Sequence, residues 1–228
     1  MKLVVSEIFK SIQGEGPKAG APSVFLRLGG CNLRCDFCDT KYASFHDYSE
    51  EWQAFDIDEV IKKVIEIRLN AWNFVITGGE PLLQKKQLAL LIGKVASLFR
   101  SIEIETNGTI VPEGLPGIPS LTFNVSVKLA NSGIDKEIRL KRDALVFFSE
   151  CENAFFKFVV SDENDIEEIL SIVNEYYIPR YRVYLMPMAA NEIELRERAT
   201  KLSELALGEG FNYSDRLHIR LFGSARGK

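Results

Sequence analysis

Short apolar runs ending on glycine or small polar residues alternate with stretches of helical period along nearly the whole chain. This alternation restricts the fold more than any other feature. Residues 23–30, 73–77, 101–105, 121–129, 155–160 and 181–186 read as buried strands, and Leu217–Phe222 as a final one. Between them, residues 57–69, 82–100, 162–176 and 192–207 place apolar side chains three and four apart, as amphipathic helices do. Strands separated by such helices argue for a parallel sheet. Roughly six units are present, fewer than the eight of a closed (β/α) barrel, which usually needs ~250 residues. The expected fold is therefore α/β: a partial, open (β/α) barrel of about six strands with an N-terminal extension. No repeat, low-complexity tract or Ser/Pro-rich linker interrupts residues 1–228, which read as a single domain. Two loops stand out, Gly-rich residues 14–20 and Pro-rich residues 111–119.

Composition narrows the class. Of 228 residues, 46% are hydrophobic and 26% charged, which excludes a disordered, collagen-like or disulfide-dense chain. The formal charge of -4 gives no basis for a nucleic-acid groove or an anionic membrane surface as partner. No apolar run approaches the ~20 residues of a membrane span. Glu7 falls too early for a signal peptide, so a cytoplasmic protein is expected.

Three of the four cysteines crowd into eight residues, Cys31-Asn32-Leu33-Arg34-Cys35-Asp36-Phe37-Cys38. In a reducing compartment clustered thiols point to metal or redox chemistry rather than to disulfides. A structural zinc site commonly takes two separated ligand pairs, and here the second pair is missing. Three thiolates from one short loop suit a [4Fe-4S] cluster with one iron left for a small molecule. Cys151 lies far away, between two glutamates that disfavour its thiolate, and reads as structural or incidental.

The C-x3-C-x2-C spacing, with Phe37 before the last Cys, resembles the radical S-adenosylmethionine (SAM) enzymes. Gly78-Gly79-Glu80-Pro81, at the end of a predicted strand, resembles their segment for the amino end of SAM. That resemblance implies that SAM chelates the open iron and yields methionine and a 5'-deoxyadenosyl radical on one-electron reduction. It assigns SAM contacts to Phe37, Cys38, Asp39, Gly78, Gly79 and Glu80. Ser126-Val127-Lys128 stands where the family often has Ser-Pro-Lys against SAM, and Met186-Pro187-Met188 is a candidate for the adenosine side, with a strand-end core reading equally good.

Further motifs look like the 7-carboxy-7-deazaguanine synthase family. They are Ser11-Ile12-Gln13-Gly14-Glu15-Gly16, Arg27 ahead of the cysteines, and Cys38-Asp39-Thr40. The resemblance implies conversion of 6-carboxy-5,6,7,8-tetrahydropterin to 7-carboxy-7-deazaguanine with loss of ammonia, in queuosine-type biosynthesis. SAM would be regenerated each turnover and Mg2+ would assist. A homodimer and a reductant such as flavodoxin or ferredoxin are also implied. Ile12, Gln13, Gly14 and Glu15 would line the pterin pocket; without the resemblance, Gln13 and Glu15 read as a solvated loop. Arg27 would hold the substrate carboxylate. An arginine in an apolar strand needs an anion, which points the same way. Thr40 would bind Mg2+ with substrate oxygens and waters, Thr77 would face substrate, and the basic tail offers Lys228 as a substrate contact. Two rivals share part of these motifs: a radical SAM activase acting on a protein glycine, and a non-enzymatic iron-sulfur electron carrier.

Overall fold

The computed structural model describes every residue except Pro116, Ser224 and Lys228. The predicted Lys228 contact therefore lies outside the described residues. In chain order the elements are β1 (Lys2–Ile12), β2 (Pro22–Leu28), α1 (Lys41–Ser44), β3 (Gln53–Asp56), α2 (Ile57–Arg68), β4 (Asn73–Gly78), α3 (Lys85–Val95), β5 (Ser101–Thr106) and β6 (Leu121–Val127). There follow α4 (Lys136–Arg139), α5 (Arg142–Glu150), β7 (Ala154–Val160), α6 (Asp165–Glu175), β8 (Val183–Pro187), α7 (Glu192–Glu209), β9 (Asn212–Tyr213) and α8 (Leu217–Phe222).

Among the described residues the strands form one nine-stranded sheet in the order β3-β1-β2-β4-β5-β6-β7-β8-β9. From β2 onward neighbours are parallel, and β1 and β3 add an antiparallel flank. This is the expected open barrel, and the flank is the N-terminal extension. Alternation along each strand sorts the residues. Val24, Leu26 and Leu28 of β2, Phe74 and Ile76 of β4, Ile102 and Ile104 of β5, and Phe156 and Phe158 of β7 join the core under the helices. The residues between them, Arg27, Asn73, Thr77, Glu103, Asn124, Ser126 and Lys157, face the concave side and make it polar.

Local sequence explains several boundaries. Asp56 and Glu59 form a reciprocal capping box that starts α2, with the Asp56 N–H donating to Glu59 at 2.8 Å. Asn191 caps α7 by accepting from the Glu194 N–H at 3.0 Å. In β1 the register slips between Val5 and Glu7, a bulge that brings Glu7 opposite Arg27.

Two expectations need correction. Leu217–Phe222 is a helix, not a strand. Its alternating look is misleading in so short a window: only Ile219 is buried, packed on Ala189 and Leu195, and the sheet already ends at β9. Residues 82–100 are not one helix. A 3-10 turn at Pro81–Gln84 precedes α3, which stops at Val95 so that the chain can turn back into β5.

Candidate active site

Cys31, Cys35 and Cys38 sit in the loop leaving β2, at the carboxyl edge of the parallel strands where α/β folds bind ligands. No cysteine forms a disulfide; Cys35 is buried and Cys31 and Cys38 are half-buried. The loop is braced by the ends of three neighbouring strands. After β4, the Glu80 N–H donates to the Gly30 carbonyl at 2.8 Å. A Cβ on Gly79 would lie 2.2 Å from that same oxygen, so only glycine allows this approach. After β5, the Asn107 side-chain amide points at Cys31 Sγ (3.9 Å) and donates to Asn32 Oδ1 (2.9 Å). After β6, the Ser132 carbonyl accepts from the Asp36 N–H at 3.1 Å.

Glu80 is fully enclosed. Its carboxylate accepts from the Leu82 N–H (2.9 Å), the Thr106 hydroxyl (2.9 Å) and the Asn107 N–H (2.6 Å). Burial nonetheless raises its pKa above the usual carboxylate value. Its side chain thus locks two strand ends together beside the cysteine loop.

The donor set suits a [4Fe-4S] cluster. It offers three thiols and one sulfur-directed amide from Asn107, and the Leu33 N–H lies 3.4 Å from Cys31 Sγ. Among the described residues, no three His, Cys, Asp or Glu side chains gather around a point that could hold a single ion. Burial pushes the Cys31 thiol up to about 11, so loading this loop must release protons.

Around this loop stand the other predicted SAM residues. Lys128 Nζ donates to Ser126 Oγ at 2.8 Å, which puts both on one face of β6, while Val127 between them is buried on the opposite, core side. Met186 and Pro187 are buried at the end of β8 and Met188 is half-buried. Phe37 is half-buried, and Asp39 pairs with Arg216. Thr40 begins α1 without using its hydroxyl as a cap; that oxygen lies 3.9 Å from Cys38 Sγ.

The predicted substrate residues occupy the concave face. Arg27 Nε donates to Glu7 Oε2 at 3.2 Å, and its guanidinium lies beside the Phe9 and Tyr42 rings, 5.5 and 6.0 Å from their centroids. The anion that this half-buried arginine demands is therefore present within the chain. Arg226 also pairs with Glu7 and stacks on Tyr42, 3.9 Å from the ring centroid. Thr77 is buried in register with Arg27.

The loop after β1 is not solvated. Ile12 and Glu15 are partly covered, and Gln13 and Gly14 are buried. Gln13 Nε2 reaches Glu105 Oε1 at 3.2 Å and Glu103 Oε1 at 3.5 Å. Glu15 pairs with Lys157, with Arg216 Nε (3.2 Å) and more distantly with His218 (3.9 Å). Burial opposes ionisation of Glu15, but these cations outweigh it and hold its pKa well below the usual range.

Sequence reasoning missed Glu103, Glu105, Lys157 and Arg216. Glu103 is completely buried, accepting from Asn73 (2.6 Å) and Asn124 (2.8 Å) with Lys18 Nζ 3.8 Å away. The signal was available: a strand of a parallel sheet usually reads as continuous apolar residues, and Ser101-Ile102-Glu103-Ile104-Glu105 alternates instead.

Three bracing strand ends, a three-thiol loop and a polar concave face define a radical SAM enzyme. Residues 26–194 match the Radical SAM superfamily, and the chain belongs to it. That family implies a [4Fe-4S] cluster and SAM. Within it the chain belongs to the 7-carboxy-7-deazaguanine synthase family. It is 39% identical over 226 residues to the 7-carboxy-7-deazaguanine synthase of Pyrobaculum aerophilum, covering 98% of this chain and 96% of that one. It is 36% identical to that of Hyperthermus butylicus, covering 95% and 92%. The crystal structure of QueE from Escherichia coli superposes with a TM-score of 0.76 at 26% identity, covering 96% of this chain and 95% of that chain. A Streptococcus suis SuiB structure bound to S-adenosylmethionine shares the fold, with a TM-score of 0.51 at 15% identity and coverage of 81% and 44%.

Proposed function

We infer that this chain is a carbon-nitrogen lyase converting 6-carboxy-5,6,7,8-tetrahydropterin to 7-carboxy-7-deazaguanine with release of ammonia, within deazapurine biosynthesis. One observation carries the reading beyond family membership. The concave face beside the cysteine loop is lined by hydrogen-bonding and charged side chains on β2, β4, β5, β6 and β7, which suits a polar bicyclic substrate.

When bound, the cluster and SAM supply a 5'-deoxyadenosyl radical able to remove hydrogen from an unactivated carbon. The chain's own residues position and enclose. Cys31, Cys35 and Cys38 hold the cluster. Gly78 and Gly79 present backbone close to SAM, while Glu80 fixes that backbone. Ser126, Lys128 and the backbone of Phe37 and Asp39 complete the SAM site, with Met186 to Met188 at its adenosine side. Arg27 receives the substrate carboxylate, which must share or displace Glu7. Gln13, Gly14 and Glu15 read the pterin edge, with Thr77 opposite.

Thr40 offers one neutral oxygen to Mg2+, so substrate oxygens and waters complete the shell and Mg2+ binding depends on substrate. The reading includes a low-potential reductant such as flavodoxin or ferredoxin, a homodimer and a cytoplasmic setting. No helix among the described residues is long and apolar enough to cross a membrane.

Anaerobically reconstituted protein given SAM, reductant and the carboxypterin should form the deazaguanine and ammonia, faster with Mg2+. Thr40→Ala should raise the Mg2+ concentration required. Stoichiometric zinc in anaerobic material, or SAM cleavage with no deazaguanine formed, overturns the reading.

A further inference from the structure

Arg216 lies just before α8, remote in sequence from every motif above, and it is buried. Its guanidinium spends its donors on three separate segments. Nε donates to Glu15 Oε1 at 3.2 Å, in the turn after β1. Nη2 donates to Asp39 Oδ2, next to the cluster cysteine Cys38. Nη1 donates to the Ala189 carbonyl, in the loop after β8. A rigid planar fork can serve three acceptors in different directions, and a lysine ammonium on a flexible stem cannot hold the same geometry.

The segment carrying Arg216 is itself pinned to the turn after β1. The Leu217 N–H donates to the Gly14 carbonyl at 2.9 Å, and the Gly16 N–H donates to Ser214 Oγ at 2.8 Å. A Cβ on Gly14 would come within 2.2 Å of the His218 ring, so the two segments touch without space between them. Lys157 of β7 holds the second oxygen of Glu15 and so leaves the first directed at Arg216.

We propose that Arg216 is a positioning residue that sets the pterin loop (Gln13 to Glu15) against the SAM loop (Cys38 to Asp39), keeping SAM cleavage coupled to product formation. The proposal rests on the synthase reading above. Radical transfer needs the substrate carbon and the SAM-derived carbon in near contact, and a misplacement of ~1 Å can cost ~100-fold. Arg216 acts on the reactants through Glu15 and Asp39. It fixes the distance between the two loops that hold them.

The test compares Arg216→Ala and Arg216→Lys with the wild type in two measurements. The first is amide hydrogen exchange on the cluster-free protein. Arg216→Ala should speed exchange in residues 13–18 and 36–40 together, by ~10-fold or more, while β4 and β5 stay protected. The second is the ratio of deazaguanine to 5'-deoxyadenosine formed by reconstituted protein. That ratio should fall by ~10-fold or more, and added methylguanidinium should restore part of it in Arg216→Ala. Arg216→Lys keeps the charge and serves should the alanine variant not fold; it should show the same uncoupling to a smaller degree.

An unchanged ratio in either soluble, iron-loaded variant overturns the proposal. So does a loss of SAM cleavage and product in equal proportion, or exchange that rises in only one of the two loops. A wild-type protein that forms no deazaguanine overturns the synthase reading instead, and the exchange result then still decides whether Arg216 ties the loops.

Discussion

The Glu80 carboxylate crosses from the end of β4 to the end of β5 and accepts the Asn107 backbone N–H at 2.6 Å. Asn107 in turn aims its side-chain amide at Cys31. Two of the three strand ends that brace the cysteine loop are thus tied to each other by one carboxylate. Glu80→Ala would leave the Asn107 N–H and the Thr106 hydroxyl buried without an acceptor, at ~1–3 kcal/mol each. Urea denaturation of the cluster-free protein should show a loss of ~2–5 kcal/mol, and Glu80→Gln a smaller one. Equal stability of the alanine variant would contradict the bridging role.

Glycine at positions 78 and 79 is required by contact, not by flexibility alone. Gly78 has φ +141°, and a Cβ there would lie 2.2 Å from the Leu28 carbonyl oxygen. Gly78→Ala and Gly79→Ala should each cost more than ~2 kcal/mol and disturb the loops on either side. A thermal melt of either variant within experimental error of wild type would show that the backbone there yields more readily.

Arg27 and Glu7 make opposite predictions. Arg27→Ala removes a charge-assisted donor pair and should raise KM for the carboxypterin by ~10–100-fold while iron content stays the same. Glu7→Gln removes the competing internal anion and should lower KM a fewfold or leave it unchanged. A raised KM in Glu7→Gln would indicate that Glu7 orients Arg27 rather than competing for it.

Glu15 gives the pH prediction. Burial opposes its ionisation, but Lys157 and Arg216 outweigh that and depress its pKa in the folded protein well below the ordinary value of 4.5. Its contribution to stability is therefore complete above about pH 4.5 and is lost as pH falls towards its folded-state pKa. Glu15→Ala should cost ~3–5 kcal/mol at neutral pH, because the buried Lys157 loses its carboxylate and Arg216 is left with Asp39 alone. The gap from wild type should narrow as the pH of the denaturation series is lowered below 4.5. A gap that stays constant with pH would show that packing, not charge, carries the effect.

Much of this was legible from the residues. The strand-helix alternation placed the cysteine loop and Gly78 to Glu80 at strand ends along one edge of a parallel sheet. Missing from that reading was the inside of the barrel. Whether Gln13 and Glu15 meet water depends on Lys157, Arg216 and Glu105, partners that lie 92 to 201 positions away. Local patterning carries no information about such pairs. α8 was misread for a related reason: six residues alternate as well by chance as by design, and the contact that settles the matter, Ile219 on Ala189 and Leu195, is tertiary. Arg27 was read correctly as needing an anion, but the bulge that brings Glu7 opposite it leaves no mark in composition or period.

The bond between Asp39 and Arg216 joins positions 177 apart, and this has a consequence for biogenesis. A ribosome delivers the three thiols well ahead of the tethering guanidinium, which lies 177 positions beyond Asp39. Until the segment carrying Arg216 emerges, the nascent loop lacks its outermost restraint. Pinning it therefore waits on a pairing between segments that are made at different times.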